Sequence, residues 1–211
     1  AYYVLNDPRC LATGPAVEEA PTTPAKFEGL KHRVPGSEML QQAWQLAGGN
    51  PTPIDWGETA QAMEEGVADT LHTSFNAHPA FGFTETVQGE VFVRAVQDAQ
   101  VIALNREWLQ SLPEDLREGV RAAGQTTFEA NLDALEEYRT NSYEVLREND
   151  VEFHDIGESE LQQWRDAMGY QRSEWDQFKK DLAGDMETFE QFEEAANTKG
   201  DYSPSPLSIP E

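Results

Sequence analysis

A chain of 211 residues, 38% of them hydrophobic and 10% aromatic, has enough apolar material for one large domain or two small ones. Its 39 acidic and 15 basic side chains leave a net charge of −24, with the acids spread from Glu18 to Glu194, so the surface is folded, strongly hydrated and suited to a salt-loving source. That balance excludes binding to nucleic acid or to anionic lipid, no stretch approaches the roughly 18 apolar residues of a membrane span, and Cys10 alone makes neither a disulfide nor a zinc site.

Ala1-Tyr2-Tyr3 does not open as a signal peptide, which leaves either a cytoplasmic chain or one whose export signal has been removed. "YYVLN" (Tyr2–Asn6) reads as a short strand that needs neighbours, followed by an irregular Pro-, Gly- and Thr-rich region, "DPRCLATGPAVEEAPTTPAKF". "GLKHRV" alternates as a second strand and ends at Pro35-Gly36. Ser37 then caps a helix that runs through Leu46 and is stopped by Gly48-Gly49-Asn50. "PTPI" is a third strand, "WGETAQAMEEG" a short helix closed at Gly66, and "VADTLH" a fourth strand.

Strand, helix, strand, helix, strand with short links is the pattern of parallel strands with crossover helices. Ligands of such sheets bind at the carboxyl ends of the strands, where Arg33, Trp56 and the His72–Phe75 run fall. "FNAHPAFGF" (Phe75–Phe83) reads as an aromatic loop, and "EVFVRAVQDAQVIALN" as one or two strands before a short helix at Trp108. From Pro113 to about Asp150, Leu116, Val120, Phe128, Leu132, Leu135, Tyr138, Tyr143 and Leu146 recur at helical spacing, too long a helix for one compact lobe. "VEFHDI" is a last strand, two or three acidic amphipathic helices follow, and "DYSPSPLSIPE" reads as an extended arm or loose tail.

Arg33 is the residue on which function turns. A guanidinium at a strand end that faces a cleft clamps a carboxylate through two parallel bonds; the plain alternative is a surface ion pair in a chain rich in acids. The Trp56 ring either stacks on a ligand or fills the core. Asp69, His72 and His78 carry metal-ligand atoms, but their spacing matches no familiar site, and His154 on its strand reads as structural. No nucleophile with an evident base, phosphate-cradling glycine loop, HExxH or GxSxG occurs, so no enzyme and no cofactor is expected.

"FEGLKHRVPGSEMLQQAWQLAGGNPTPIDWGETAQAMEEGVADT" resembles the central motif of the substrate-binding proteins of tripartite ATP-independent periplasmic (TRAP) transporters, which bind mainly carboxylate-bearing solutes. The family's "GLK-x-R" strand corresponds to Gly29–Arg33, its "G-x-x-P-x-P" strand to Gly49–Pro53, its "W/F-G/S-E" segment to Trp56-Gly57-Glu58 and its "G-V-V/A-D-G" turn to Gly66–Asp69. "SLPEDLREGVRAAG" (Ser111–Gly124) resembles the start of the family's long interlobe helix, and the match runs from about Pro24 to about Gly169.

The resemblance implies an α/β, periplasmic-binding-protein-like two-lobed fold with mixed sheets, a long interlobe helix and an incomplete first lobe, since the family's N-terminal part has no counterpart before Ala1. It implies Arg33 as the carboxylate-binding arginine, Trp56 as the aromatic wall, and His72, Thr73 and Phe75 as further contacts. It also implies a non-enzymatic periplasmic receptor that closes on a small organic acid and docks to the membrane subunits of a TRAP transporter, without direct membrane insertion. The family's "D-G-Q-E-N-P" is replaced by Asp69-Thr70-Leu71-His72-Thr73-Ser74, so the solute itself does not carry over.

The expected organisation is a second, ligand-binding lobe at 11–97, first-lobe remainder and interlobe helix at 1–10 and 98–138, C-terminal helices packing on the second lobe at 139–200, and a tail at 201–211. A second copy of the chain is one way to complete the sheet, which makes a homodimer an expected partner arrangement. The competing reading is an acidic fragment serving as a structural or interaction module without a ligand.

Overall fold

A computed structural model of the chain describes residues 2–198; the expected tail at 201–211 lies outside them. Strands β2 (Cys10–Thr13), β3 (Lys31–Val34), β4 (Asn50–Pro53), β5 (Thr70–Thr73), β6 (Gly89–Val91) and β8 (Glu152–His154) form a six-stranded mixed sheet in the order β4-β3-β5-β2-β6-β8. Strands β1 (Tyr2–Pro8) and β7 (Gln97–Ile102) form a separate antiparallel pair.

The expected strand-helix-strand-helix-strand stretch is β3, α2 (Glu38–Leu46), β4, α3 (Thr59–Glu64) and β5, with β3 parallel to both β4 and β5. Ser37 caps α2 through its side chain, which accepts from the Leu40 N–H. The helix ends in a Schellman turn: Gly48 at φ +95° donates to Gln45 O, and Gly49 donates to Trp44 O at 3.0 Å. Asp69 fixes β5 against β3 by accepting from the Lys31 N–H at 2.8 Å, while the Asp69 N–H donates to Lys31 O.

One strand lies where an irregular region was expected. Residues 10–13 form β2, which is central, runs antiparallel to β5 and β6, and makes the sheet mixed. All four of its residues are buried because both sheet faces are covered, so the strand carries no alternation to betray it. The segment expected as an aromatic loop also contains a short helix, α4 (Ala77–Ala80).

Two cores flank the sheet. On one face Cys10, Ala12, Met63, Leu71, Phe75, Phe83, Val87, Phe92 and Leu146 pack together. On the other, Leu11, Val34, Trp44 and Val91 meet α1 (Pro24–Phe27) and α7 (Glu158–Met168) around Phe27 and Trp164.

Helix α5 (Arg106–Ser111) leads into α6 (Glu114–Glu148), a 35-residue helix. Helix α6 packs on β1, and its Tyr138 hydroxyl donates to Asn76 O at 3.1 Å; its C-terminal end delivers Leu146 to the first core. It therefore joins the two sheets. Helices α8 (Asp176–Ala183) and α9 (Met186–Asn197) complete the described chain.

Candidate functional site

Strand directions decide which residues can meet. The carboxyl ends of β3, β4, β5, β6 and β8 lie on one edge of the large sheet, and the reversed strand β2 brings its amino end there too, with Cys10 opposite Thr73. The chain leaves this edge twice: β1 runs into β2 through Arg9, and Val93–Val96 runs from β6 towards β7. The crossings are tied by the Arg9 N–H, which donates to Val96 O at 2.8 Å.

Arg33 stands on this edge. Its side chain is only 7% exposed, its Nε donates to Ile54 O at 3.0 Å, and its guanidinium carbon lies 5.4 Å from the centre of the Trp56 ring. Among the described residues it forms no salt bridge. Burial lowers its pKa from the ordinary value, the neighbouring Arg9 charge lowers it further, and Asp55 opposes both. This is a desolvated cation on an acidic protein, held through one nitrogen with its other donors uncommitted to any acid among the described residues.

Trp56 is placed by a tight local scaffold. The Ile54 N–H donates to Val34 O, the chain turns through a short 3-10 segment at Trp56–Glu58, and buried Thr59 donates its hydroxyl to Asp55 O at 3.0 Å. The half-buried ring packs on Phe83 at 4.9 Å and edge-on to Phe81 at 5.4 Å. Thr73, also half-buried, shares its sheet face with Leu71, the residue in register with Arg33.

Two expected contacts are placed elsewhere. His72 alternates to the opposite face, in register with Leu11, and packs against Trp44 at 4.8 Å. There burial, with the Arg9 charge second, holds its pKa down to about 3, although its contact with the Arg9 backbone acts the other way, so it is a neutral core group. Phe75 is fully buried against Phe92 and Phe153, at 6.1 and 6.0 Å, and belongs to the core.

The three residues with metal-ligand atoms do not converge. Asp69 is engaged with Lys31, His72 with Trp44, and His78 with Glu90, and the described residues hold no group of three or more metal-binding side chains. His154 sits 3.5 Å from Glu152 on its own strand.

The residue that pattern reading missed is Arg9. It acts electrostatically on both Arg33 and His72, and so shares the edge with the candidate site. The signal was available only through β2: once residues 10–13 are a reversed strand, the residue before them must lie at the carboxyl ends of its neighbours.

The family model for bacterial extracellular solute-binding protein, family 7, matches residues 17–181. The C4-dicarboxylate-binding periplasmic protein DctP of Vibrio cholerae is 23% identical over 164 residues, which are 77% of this chain and 48% of that protein. A TRAP periplasmic solute binding protein from Chromohalobacter salexigens, solved with bound D-glucuronate, superposes with a TM-score of 0.80 at 20% identity, covering 92% of this chain and 62% of that one. The periplasmic ectoine-binding protein of Halomonas elongata superposes with a TM-score of 0.78 at 16% identity, covering 91% and 61%. The chain thus spans about half to three fifths of the length of these proteins.

Proposed function

The chain belongs to the bacterial extracellular solute-binding proteins of family 7, a family of binders rather than enzymes, and on that premise we propose that it is a periplasmic receptor for a small organic acid. Arg33 clamps the carboxylate, Trp56 forms the wall beside it, Thr73 supplies a hydroxyl from the same sheet face, and Arg9 adds positive charge at the edge. Residues 11–97 act as the ligand-binding lobe, 1–10 and 98–138 as first-lobe remainder and interlobe helix, and 139–200 as the packing helices. The loaded receptor passes its acid to the membrane subunits of a TRAP-type secondary transporter.

The single observation that carries this reading is Arg33: buried at the strand edge, braced by Ile54 O and the Trp56 ring, and without a salt bridge among the described residues. A desolvated guanidinium gains most from a ligand that brings its own carboxylate, because charge-assisted bonds strengthen when water is excluded. The competing structural-module reading expects Arg33 to be spent on a surface acid, and Asp55 closes no such pair. Two relatives are described as binding C4-dicarboxylate and D-glucuronate, which sets the chemical range to try first.

The test is thermal unfolding in molar salt against succinate, D-glucuronate and other small mono- and dicarboxylates. A ligand that binds the folded state alone raises the midpoint by mass action, by an amount equivalent to about 2.7 kcal/mol at a hundredfold excess over Kd. The midpoint is expected to rise with at least one acid and to stop responding in Arg33→Ala, whose own stability stays close to the parent. A full response in the Arg33→Ala protein would remove that residue from the site.

A further inference from the structure

On the Arg33 face of the sheet, deep in the apolar core, lies a pair of polar groups that the proposed ligand contacts do not use. Glu90 is the middle residue of β6, in register with Ala12 and Phe153, and His78 sits in α4. Both side chains are 0% exposed, and His78 Nδ1 meets Glu90 Oε1. The two side chains have only each other: among the described residues none of their four polar atoms has an aligned hydrogen-bond partner, and the Nδ1–Oε1 approach is a close polar contact.

Such a pair is an expensive way to fill a core, since apolar side chains of similar volume in the same place are usually at least as stable. Its mutual contact does something apolar packing does not, because either group drawn away from the other would stand alone in the apolar core. It fixes where α4 sits on the sheet, whereas stacked aromatic rings can slide.

What hangs from α4 is the support of the candidate site. Phe83 donates its backbone N–H to His78 O at 2.9 Å and packs its ring 5.7 Å from the His78 ring, and Phe81 donates to Ala77 O at 3.0 Å. These two phenylalanines are the rings against which Trp56 rests, and Trp56 in turn rests against Arg33. The path from the core to the clamp runs Glu90, His78, Phe83, Trp56, Arg33, each step a direct side-chain contact.

We propose that the buried His78–Glu90 pair is the positioning device of the ligand site: it locks the 77–83 segment so that Phe81 and Phe83 hold the Trp56 ring against the Arg33 guanidinium. His78 and Glu90 touch no ligand in this arrangement; they act through Trp56. The proposal rests on the receptor reading above for its effect on affinity, and on the contact path alone for its effect on the segment.

The experiment uses the full chain and three variants, Glu90→Gln, Glu90→Leu and Phe83→Leu, with succinate and D-glucuronate as probes and amide hydrogen exchange read segment by segment. In Glu90→Leu the amides of 77–83 and 55–59 are expected to exchange faster while β3 and β5 keep their protection. Acid binding should weaken roughly tenfold, the penalty of a site whose supporting contacts are loosened. Glu90→Gln keeps an acceptor for His78 and should recover most of the affinity. Phe83→Leu spares the pair and cuts the next contact, so it should reproduce the affinity loss even where Glu90→Leu folds poorly.

Wild-type affinity in folded Glu90→Leu, or faster exchange spread evenly over the whole sheet, overturns the proposal. If the wild-type protein binds neither acid nor any other carboxylate, the receptor reading fails by itself. The exchange arm still decides the positioning role: unchanged protection of 77–83 in Glu90→Leu rejects it.

Discussion

At the residue scale, two buried basic groups on neighbouring strands behave in opposite ways because of the faces they occupy. Arg33 keeps its charge on the edge beside Trp56, while His72 is driven neutral under Trp44, with His32 lowered in the same direction chiefly by burial. The sign of the pH effect follows. Above about 6.5 His72 is neutral in both folded and unfolded chains, and its contribution to stability is complete. Between 6.5 and about 3 only the unfolded chain takes up the proton, so stability falls as pH falls, by about 1.4 kcal/mol per pH unit. Urea unfolding at pH 6 and pH 5 should show a slope of this sign to which His32 also contributes, shallower by about that amount in His72→Gln. An identical slope in the variant would move the titration to another group. Arg33 and Trp56 could be located at strand ends from sequence because Pro35-Gly36 and the Trp56-Gly57-Glu58 turn punctuate them. The face of His72 could not, because it follows from register with β2, a strand without a readable pattern, nor could the burial of Phe75, which follows from packing against Phe92 and Phe153 far along the chain.

At the element scale, the α2–β4 connection shows how little room the fold leaves. Gly49 lies under the Phe27 ring, where an added Cβ would come within 2.3 Å of one ring carbon and 2.7 Å of another. Phe27 cannot retreat, being fully buried among His32, Trp44 and Trp164. Gly49→Ala is therefore expected to cost about 1 to 3 kcal/mol, as overpacking of a full core does, measured as a lower denaturant midpoint. Gly36→Ala, where nothing lies within 4 Å of the added carbon, is the control that should stay close to the parent. The helix α2 and its end were legible because a serine cap and a double glycine are local signals. Strand β2 was not, since its four buried residues are recognised only by the partners on either side.

At the scale of the whole molecule, a net charge of −24 makes the folded state a compact body of like charge. Acidic side chains such as Glu114, Glu118 and Glu137 project from α6, and Glu187 and Glu190 from α9. Added salt shortens the screening length from about 10 Å at 0.1 M to about 3 Å at 1 M, so the unfolding midpoint should climb steeply over that range, alike in sodium and potassium chloride. A midpoint indifferent to salt would show that the acids already lie far enough apart.

The double crossing at Arg9 and Val96 has a mechanical consequence. Two strands of backbone side by side, tied by one hydrogen bond, resist stretching far more than twisting, so any relative movement of the two sheets is expected to be a twist at this crossing. The 35-residue helix α6, about 52 Å long at 1.5 Å per residue, lies across both sheets as a lever arm. Held at its C-terminal end by Leu146, a lever of that length turns a rotation of about 10° into a sweep of about 9 Å at Glu114. Its Tyr138 hydroxyl grips Asn76, the residue just before α4, nearer the fulcrum. A swing at the Glu114 end is thus expected to reach the segment that carries Phe81 and Phe83 as a much smaller displacement, a change of fit rather than of fold.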